Sequence, residues 1–468
     1  MNNNYRILVL LTLNTLFFFL HSMAQWNAPF PLSPNAVNAN LNESMGSCLG
    51  VSGDSVHVVW TDKINSTHAI LYYRHSLDTG LTWSAPIAIT NATGNAWNPA
   101  IAVNGRNVHV AWREIDTVTN RRASWYKHSL DGGTTWSPSM FLDSTADWPA
   151  IAVSGSMVYI ANDRVVSQNP YNTEIFFMRS LDNGNSWSIP QQLTDSVGRS
   201  EDESITAEGA HIFMSWNDNR TNQFQILYKE SADYGATWGP DVVVDLPFDY
   251  NTMVNVNGSF VDVISCGAPS GHYQLLLAQS ADTGATWSVM NNNLSHDTAH
   301  TFFLPHMTRD GCELHIVVNS SGGAKYFHSL DGGATWDLPY VMSGVSFIAY
   351  TYHVLHVIYV TSGRIYYLHN STGNAGMPCI TTEVMQPDNL HSIITIYPNP
   401  ATSSITIHSP FSTLHSLLSI KNMMGQTVLN MILNDETTVI DISKFSKGIY
   451  FIETRNGAEL IHQKIVIE

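Results

Sequence analysis

The chain has 468 residues, of which 44% are hydrophobic and 11% aromatic but only 13% charged. Its polarity therefore rests on Ser, Thr and Asn, a balance that suits many short strands and turns and disfavours long surface helices. A formal net charge of −17 excludes nucleic acid and anionic membrane surfaces as expected partners, and it disfavours an acidic ligand unless arginines gather locally.

The N-terminus reads as a processing segment. Arg6 precedes an apolar run from Ile7 to Leu20, followed by His21-Ser22-Met23-Ala24. A short apolar core ending in small residues is the pattern of a secretory signal peptide, here residues 1–24. The run is short for a membrane span, and no later segment is long enough, so the mature chain is expected to have no transmembrane span. Next comes Trp26-Asn27-Ala28-Pro29-Phe30-Pro31-Leu32, which matches Trp83-Ser84-Ala85-Pro86-Ile87-Ala88-Ile89. The later copy ends a repeat, so the chain opens on an outer strand with no inner strands before it.

Six stretches fit S-x-D-x-G-x-[TS]-W, beginning at Ser76, Ser129, Ser180, Ser231, Ser280 and Ser329. Their aspartates are Asp78, Asp131, Asp182, Asp233, Asp282 and Asp331, spaced 49 to 53 residues apart. An even period of this length marks a repeat architecture. Each stretch lies between strand-like runs and reads as a turn. The Asp side chain can accept from nearby backbone N–H groups, Gly133 and its equivalents can adopt positive φ, and the Trp offers a large apolar body with an N–H to satisfy. Within the second repeat, Pro99 to Val103, Val108 to Trp112, Ala123 to His128 and Ser137 to Leu142 read as four strands. Asn104-Gly105 signals a hairpin between the first two. After the sixth turn, Val345 to Tyr350, His356 to Val360 and Arg364 to His369 give three strands with no turn motif and no fourth strand. Trp26 to Leu32 can supply the missing one, which would leave the ring without an open edge.

These turns resemble the Asp box, or BNR repeat, of sialidases and related β-propellers. The resemblance implies an all-β fold in which residues 25–372 form a sialidase-like propeller, and it gives the six boxes a structural role. Counting the composite unit yields seven blades; the alternative is six blades with residues 345–369 as an appendage. Cys48, Cys266, Cys312 and Cys379 show no metal-type spacing and are expected to be buried or free thiols.

Residues 373–392 form a linker. Beyond it lie Ile396-Tyr397-Pro398-Asn399-Pro400, Lys447-Gly448-Ile449-Tyr450-Phe451 and a closing Lys464-Ile465-Val466-Ile467. This part, residues 393–468, resembles the type IX secretion sorting domain of Bacteroidetes. It implies transit through that machinery, then attachment to the cell surface or release. Its short alternating strands read as a small β-sandwich.

In propellers of this type the ends of the second strands and the starts of the first gather on the face opposite the boxes. Here they carry Asp62, Arg113, Glu114, Asp163, Arg164, Asp218 and Arg220, with Trp97-Asn98, Asp147-Trp148 and Glu201-Asp202-Glu203 on the adjoining segments. Equivalent positions in the last three units are uncharged. A one-sided rim of charge with Trp faces suits an extracellular glycan or protein ligand, with the seven rim residues as its binding set. If Trp60, Trp112 and Trp216 are core and the charges pair among themselves, the rim is structural. A sialidase-like glycoside hydrolase is the second reading. Sialidases use a Tyr nucleophile, and the resemblance implies three arginines on the substrate carboxylate. Tyr350 or Tyr352 with Arg113, Arg164 and Arg220 are the catalytic candidates, with Arg199 and Arg364 on the same side. The Arg-Ile-Pro motif of that family is absent. A protein-binding surface scaffold is the third reading. No cofactor and no metal are expected: His296 and His300 have helix-type spacing in a loop, and His353 and His356 should face opposite sides of a strand.

Overall fold

The computed structural model describes residues 26–370 and 395–467, apart from short stretches at 34–38, 42–45, 66–67, 92–93, 117–118, 120, 248, 268–273, 292–293, 295–299, 343, 352–353, 398–400, 409–415, 423–425, 434–436 and 457–458. Every named element among these residues is a β-strand, and none is a helix long and apolar enough to cross a membrane. The chain divides into two compact units, Met1–Ile380 and Thr381–Glu468.

The first unit is a β-propeller. Its strands form seven antiparallel sheets. Sheet two is representative, with Ala96–Asn104, Asn107–Ile115, Arg122–Ser129 and Met140–Asp143 in chain order. Sheets three, four, five and six begin with Ala146–Ser154, Ser200–Glu208, Asp249–Asn257 and Phe302–Asp310; in sheet one the first position is split between Ala39–Asn40 and Leu49–Ser52, which both pair with Ser55–Lys63. Each of these first strands packs on the next, and Val345–Thr351 of sheet seven packs back on Leu49–Ser52. The first strands are therefore the innermost, and the ring is closed. Small residues such as Ala100 and Ala150 suit that crowded position, where both are buried.

Sheet seven joins the two ends of the unit. Val345–Thr351, Val354–Thr361 and Arg364–Asn370 are completed by Phe30–Pro31, which pairs with Tyr367 and Tyr366. Leu32 N–H donates to the Ile365 carbonyl at 2.9 Å, Asn27 N–H to the His369 carbonyl at 3.1 Å, and His369 N–H to Asn27 Oδ1 at 2.6 Å. The pairing removes an edge that would otherwise carry unpaired N–H and C=O groups.

The first strands start earlier than the apolar pattern suggests. Trp97, Asp147 and Glu201 pair with Arg113, Asp163 and Asn217, and the register then shifts before Ala100, Ala150 and Ser204. These shifts are β-bulges. Asn98, Trp148 and Asp202 occupy them with φ of 50°, 48° and 58°. The segments adjoining the expected first strands are thus part of those strands, and the bulge hid them by breaking the two-residue alternation.

The six repeat turns share one geometry. At Asp131, Thr135 donates its N–H to Oδ1 at 2.8 Å and its hydroxyl to Oδ2 at 2.6 Å, while Ser129 Oγ donates to Oδ1 at 2.8 Å. These donors hold the Asp131 carboxyl down at about 2. At five of the six turns an aromatic ring from the preceding sheet joins the two sheets; at Trp336 the equivalent residue is Leu277. Tyr73 meets Trp136 edge-on at 4.9 Å, Tyr126 meets Trp187 at 4.9 Å, Phe177 meets Trp238 at 5.0 Å and Tyr228 meets Trp287 at 5.0 Å. Tyr367 meets Trp83 at 4.8 Å across the closure. Sheet seven has no such turn, but Trp26 takes the position of its Trp and meets Tyr326 at 5.3 Å. Edge-to-face pairs of this kind contribute about 0.5–1.5 kcal/mol each beyond buried area.

The second unit is a small sandwich. A sheet of Thr395–Tyr397, Ser404–His408 and Thr437–Asp441 faces one of Ser416–Asn422, Thr427–Leu433, Gly448–Asn456 and Glu459–Ile467. Ile405, Ile407, Leu418, Ile420, Ile452 and Ile465 form its core. Of the cysteines, Cys48 and Cys266 are buried thiols, as expected. Cys312 corrects that expectation: it is disulfide-bonded, and its partner lies outside the described residues.

Candidate functional site

The repeat turns bond to the hairpins between first and second strands, for example Gly132 N–H to the Arg106 carbonyl at 2.8 Å. The far ends of those strands therefore stand away from the turns, and on sheets one to four they hold the rim charges.

The arginines are each engaged within or next to their own sheet. Arg113 is buried, donates to Asp147 Oδ1 at 3.0 Å and covers the Trp148 ring at 4.6 Å. Arg164 pairs with Asp143 and covers Phe176 at 3.8 Å. Arg220 grips Asp218 with Nε–Oδ1 and Nη2–Oδ2 both at 2.8 Å, and reaches Asp241 at 2.9 Å. Burial drives the Asp218 carboxyl upward, but the bonds from Arg220 outweigh it and hold it below its ordinary value. Arg199 pairs with Glu201 at 3.4 Å. The three arginines thus face separate carboxylates. Asp62 lies at the end of its strand, half-buried, and burial raises its carboxyl. Glu114 Oε2 accepts from Trp112 Nε1 at 3.3 Å. Trp60, Trp112 and Trp216 are fully buried, so they are core and offer no face to a ligand.

Tyr350 lies apart from the arginines. It is one residue from the end of its strand, pairing with Leu355 at the first–second strand hairpin, whereas Arg113 pairs with Trp97 at the other end of such strands. Its ring stacks on His315 of sheet six at 5.5 Å. The grouping of Tyr350 with Arg113, Arg164 and Arg220 is therefore not formed, because the strand pairing sends them to opposite ends. Tyr352, His296 and His353 lie outside the described residues.

What gathers on the rim is carboxylate. Asp163, Glu203, Asp202, Glu201 and Asp147 come from two adjacent sheets and repel one another electrostatically. Glu203 is 2% exposed, and neither of its carboxylate oxygens has a hydrogen-bond partner outside its own residue. Asp163 Oδ1 is buried and equally without one. Burial, then the Asp163 charge, pushes Glu203 well up; burial, then Asp147, does the same to Asp163. Asp202 is raised from 3.8 to about 6 by burial and by Glu201, though Asn217 Nδ2 donates to it at 2.9 Å. Arg122 and Arg113 compensate at Asp147, and Tyr171 feels the charges of Asp163 and Glu201. Half-buried Trp148 adjoins Asp147 beside the group, while half-buried Trp97 lies under the Lys63 ammonium of sheet one at 4.9 Å. Buried acceptors without donors, next to aromatic faces, can take hydroxyl or ammonium donors from a ligand. Sequence reasoning placed Glu201, Asp202 and Glu203 beside the rim but left them out of the binding set. The run of three consecutive acids was the signal.

Residues 395–468 match the family model described as a secretion system C-terminal sorting domain. The protein is thus one exported through the type IX secretion machinery, to the cell surface or into the medium. No curated protein matches the chain. Among solved structures, the Hadza microbial sialidase Hz136 is 14% identical, with a TM-score of 0.42 over 66% of this chain and 74% of that one. The polysaccharide lyase Uly1 is 10% identical, with a TM-score of 0.49 over 75% and 93%. Trypanosoma rangeli sialidase is 10% identical, with a TM-score of 0.39 over 81% and 85%. At such identities they speak to no activity of this chain.

Proposed function

We propose that the propeller is a recognition module of the exported protein, binding a neutral or amine-bearing glycan at the rim of sheets two to four. The observation that carries this reading is the buried Glu203 carboxyl, whose two oxygens receive no donor from any other residue, beside the likewise unsatisfied Asp163 and the half-buried Trp148. A buried acceptor left unpaired costs about 1–3 kcal/mol, which a sugar hydroxyl or ammonium would recover. Trp148 offers a face for a pyranose ring, and Arg113 on its other contact fixes its position. An acidic sugar fits less well, since Arg113, Arg164 and Arg220 are already paired with carboxylates and the chain carries −17 overall.

The sialidase-like reading has less support for that reason and because Tyr350 of sheet seven stands at the opposite strand end from the arginines. A glycan array followed by calorimetry on the strongest hit tests the proposal. Glu203→Gln and Trp148→Ala are each expected to weaken binding at least tenfold, while Asp131→Asn at a repeat turn leaves it unchanged. Equal affinity in all three variants, or turnover of a fluorogenic sialoside, would overturn it.

A further inference from the structure

Strand pairing repeats one arrangement in four sheets. A His near the start of the second strand lies opposite a His near the end of the third: His57 with His75, His109 with His128, His315 with His328 and His356 with His369. The first His of each pair touches a Tyr hydroxyl through Nδ1, at 2.5, 2.6, 2.8 and 2.7 Å respectively. Two residues before it stand Ser55, Asn107, Glu313 and Val354. Only sheet six places a carboxylate there. Side chains two apart on a strand share a face, so Glu313 joins both imidazoles of its pair.

A second difference singles out the same sheet. The residue after the Trp of the repeat turn is Ser84 in sheet one and Ser137 in sheet two, where its hydroxyl accepts from a His backbone N–H. In sheet six it is Asp337, whose Oδ2 lies 2.8 Å from His328 Nδ1. Both Nδ1 atoms are thereby held, His315 by Tyr326 and His328 by Asp337, and both Nε2 atoms turn to Glu313. His328 Nε2 is 3.0 Å and His315 Nε2 3.4 Å from Glu313 Oε1. His315 and Glu313 are each 2% exposed, yet Glu313 Oε2 has no hydrogen-bond partner.

From this juxtaposition we infer that Glu313, His315 and His328 form a zinc site with one position open to solvent. Two imidazoles and a carboxylate are a known zinc donor set, and metal bonds of 2.0–2.1 Å at tetrahedral angles set neighbouring ligand atoms about 3.3 Å apart. The three ligand atoms already lie within 4.8 Å of one another, and no other such group occurs among the described residues. Asp337 and Tyr326 stand behind the histidines as the orienting partners that metal-binding imidazoles require. Access runs past His328, whose side chain is 17% exposed, and Asp337, 39% exposed. The competing occupant is a proton, with imidazolium His328 bridging Glu313 and Asp337.

The test uses the untagged full-length protein, stripped with chelator, dialysed against zinc sulfate and measured by atomic emission, with affinity from a competing chromophoric chelator. One zinc per chain is expected, with Glu313→Gln and His328→Ala each weakening it at least tenfold. His128→Ala, in the matching pair of sheet two, should leave it unchanged. Cobalt substitution should give visible absorption bands that Glu313→Gln removes, a signature that loss of packing would not produce. Sub-stoichiometric zinc, or zinc equally retained in Glu313→Gln and His328→Ala, would overturn the site and leave the proton bridge.

Discussion

Gly133 shows how much one atom decides in this fold. Its φ is +88°, and a Cβ there would lie 2.0 Å from the Tyr73 hydroxyl. Gly132 next to it has φ +77° but open space around the same position. Gly132→Ala therefore meets only the left-handed backbone penalty, about 1–2 kcal/mol, whereas Gly133→Ala adds a clash and should cost roughly 3–5 kcal/mol. Urea unfolding measures both, and in a Tyr73→Ala background the difference between them should shrink. The rim carboxyls make the pH dependence a residue matter too. Asp202 has its folded pKa raised from 3.8 to about 6, so the protonated form favours folding. That contribution is whole below pH 4 and is lost as the pH rises through 6. Asp202→Asn should stabilise the protein by about 1–2 kcal/mol at pH 7.5 and change nothing at pH 3.5. Thermal unfolding at the two pH values checks it, and an equal effect at both would show that charge is not the cause.

Among the elements, the coupling unit is the aromatic of one sheet seated against the Trp of the next. It was legible only in part. The turns announced themselves through spacing, because Ser, Asp, Gly and Trp each have a fixed local task. Tyr73, Tyr126, Phe177, Tyr228, Tyr326 and Tyr367 also stand at a fixed place, three residues before Ser76, Ser129, Ser180, Ser231, Ser329 and Asn370, but their partner belongs to another sheet and alternation alone reads them as core. The rim was harder for the same reason. Bulges at Asn98, Trp148 and Asp202 turn strand ends into apparent loops, and the pairing of Arg113 with Asp147 crosses from sheet two to sheet three. The grouping of Glu313, His315 and His328 was not legible because Glu313 and His328 meet only through strand register, which no short motif records.

For the molecule as a whole, the N-terminal strand is the clasp of the ring. Leu32 is fully buried, Trp26 meets Tyr326, and Arg74 donates to the Leu32 carbonyl at 2.9 Å. Deleting residues 26–33 should lower the melting temperature by roughly 5 °C or more and promote self-association through the strand Arg364–Asn370, which calorimetry and sedimentation would detect. An unchanged, monomeric protein would mean the ring holds without it. The clasp also imposes an order of events. Sheets one to six are built from neighbouring hairpins and can form as the chain emerges, but Ser33 and Ile365, which share a 3.0 Å hydrogen bond, are 332 residues apart. Contacts of such separation carry the largest loop-closure entropy and form late. The strand that comes first in the propeller's chain order is thus among the last to find its place, and the ring closes only after the sheets between its two ends have formed.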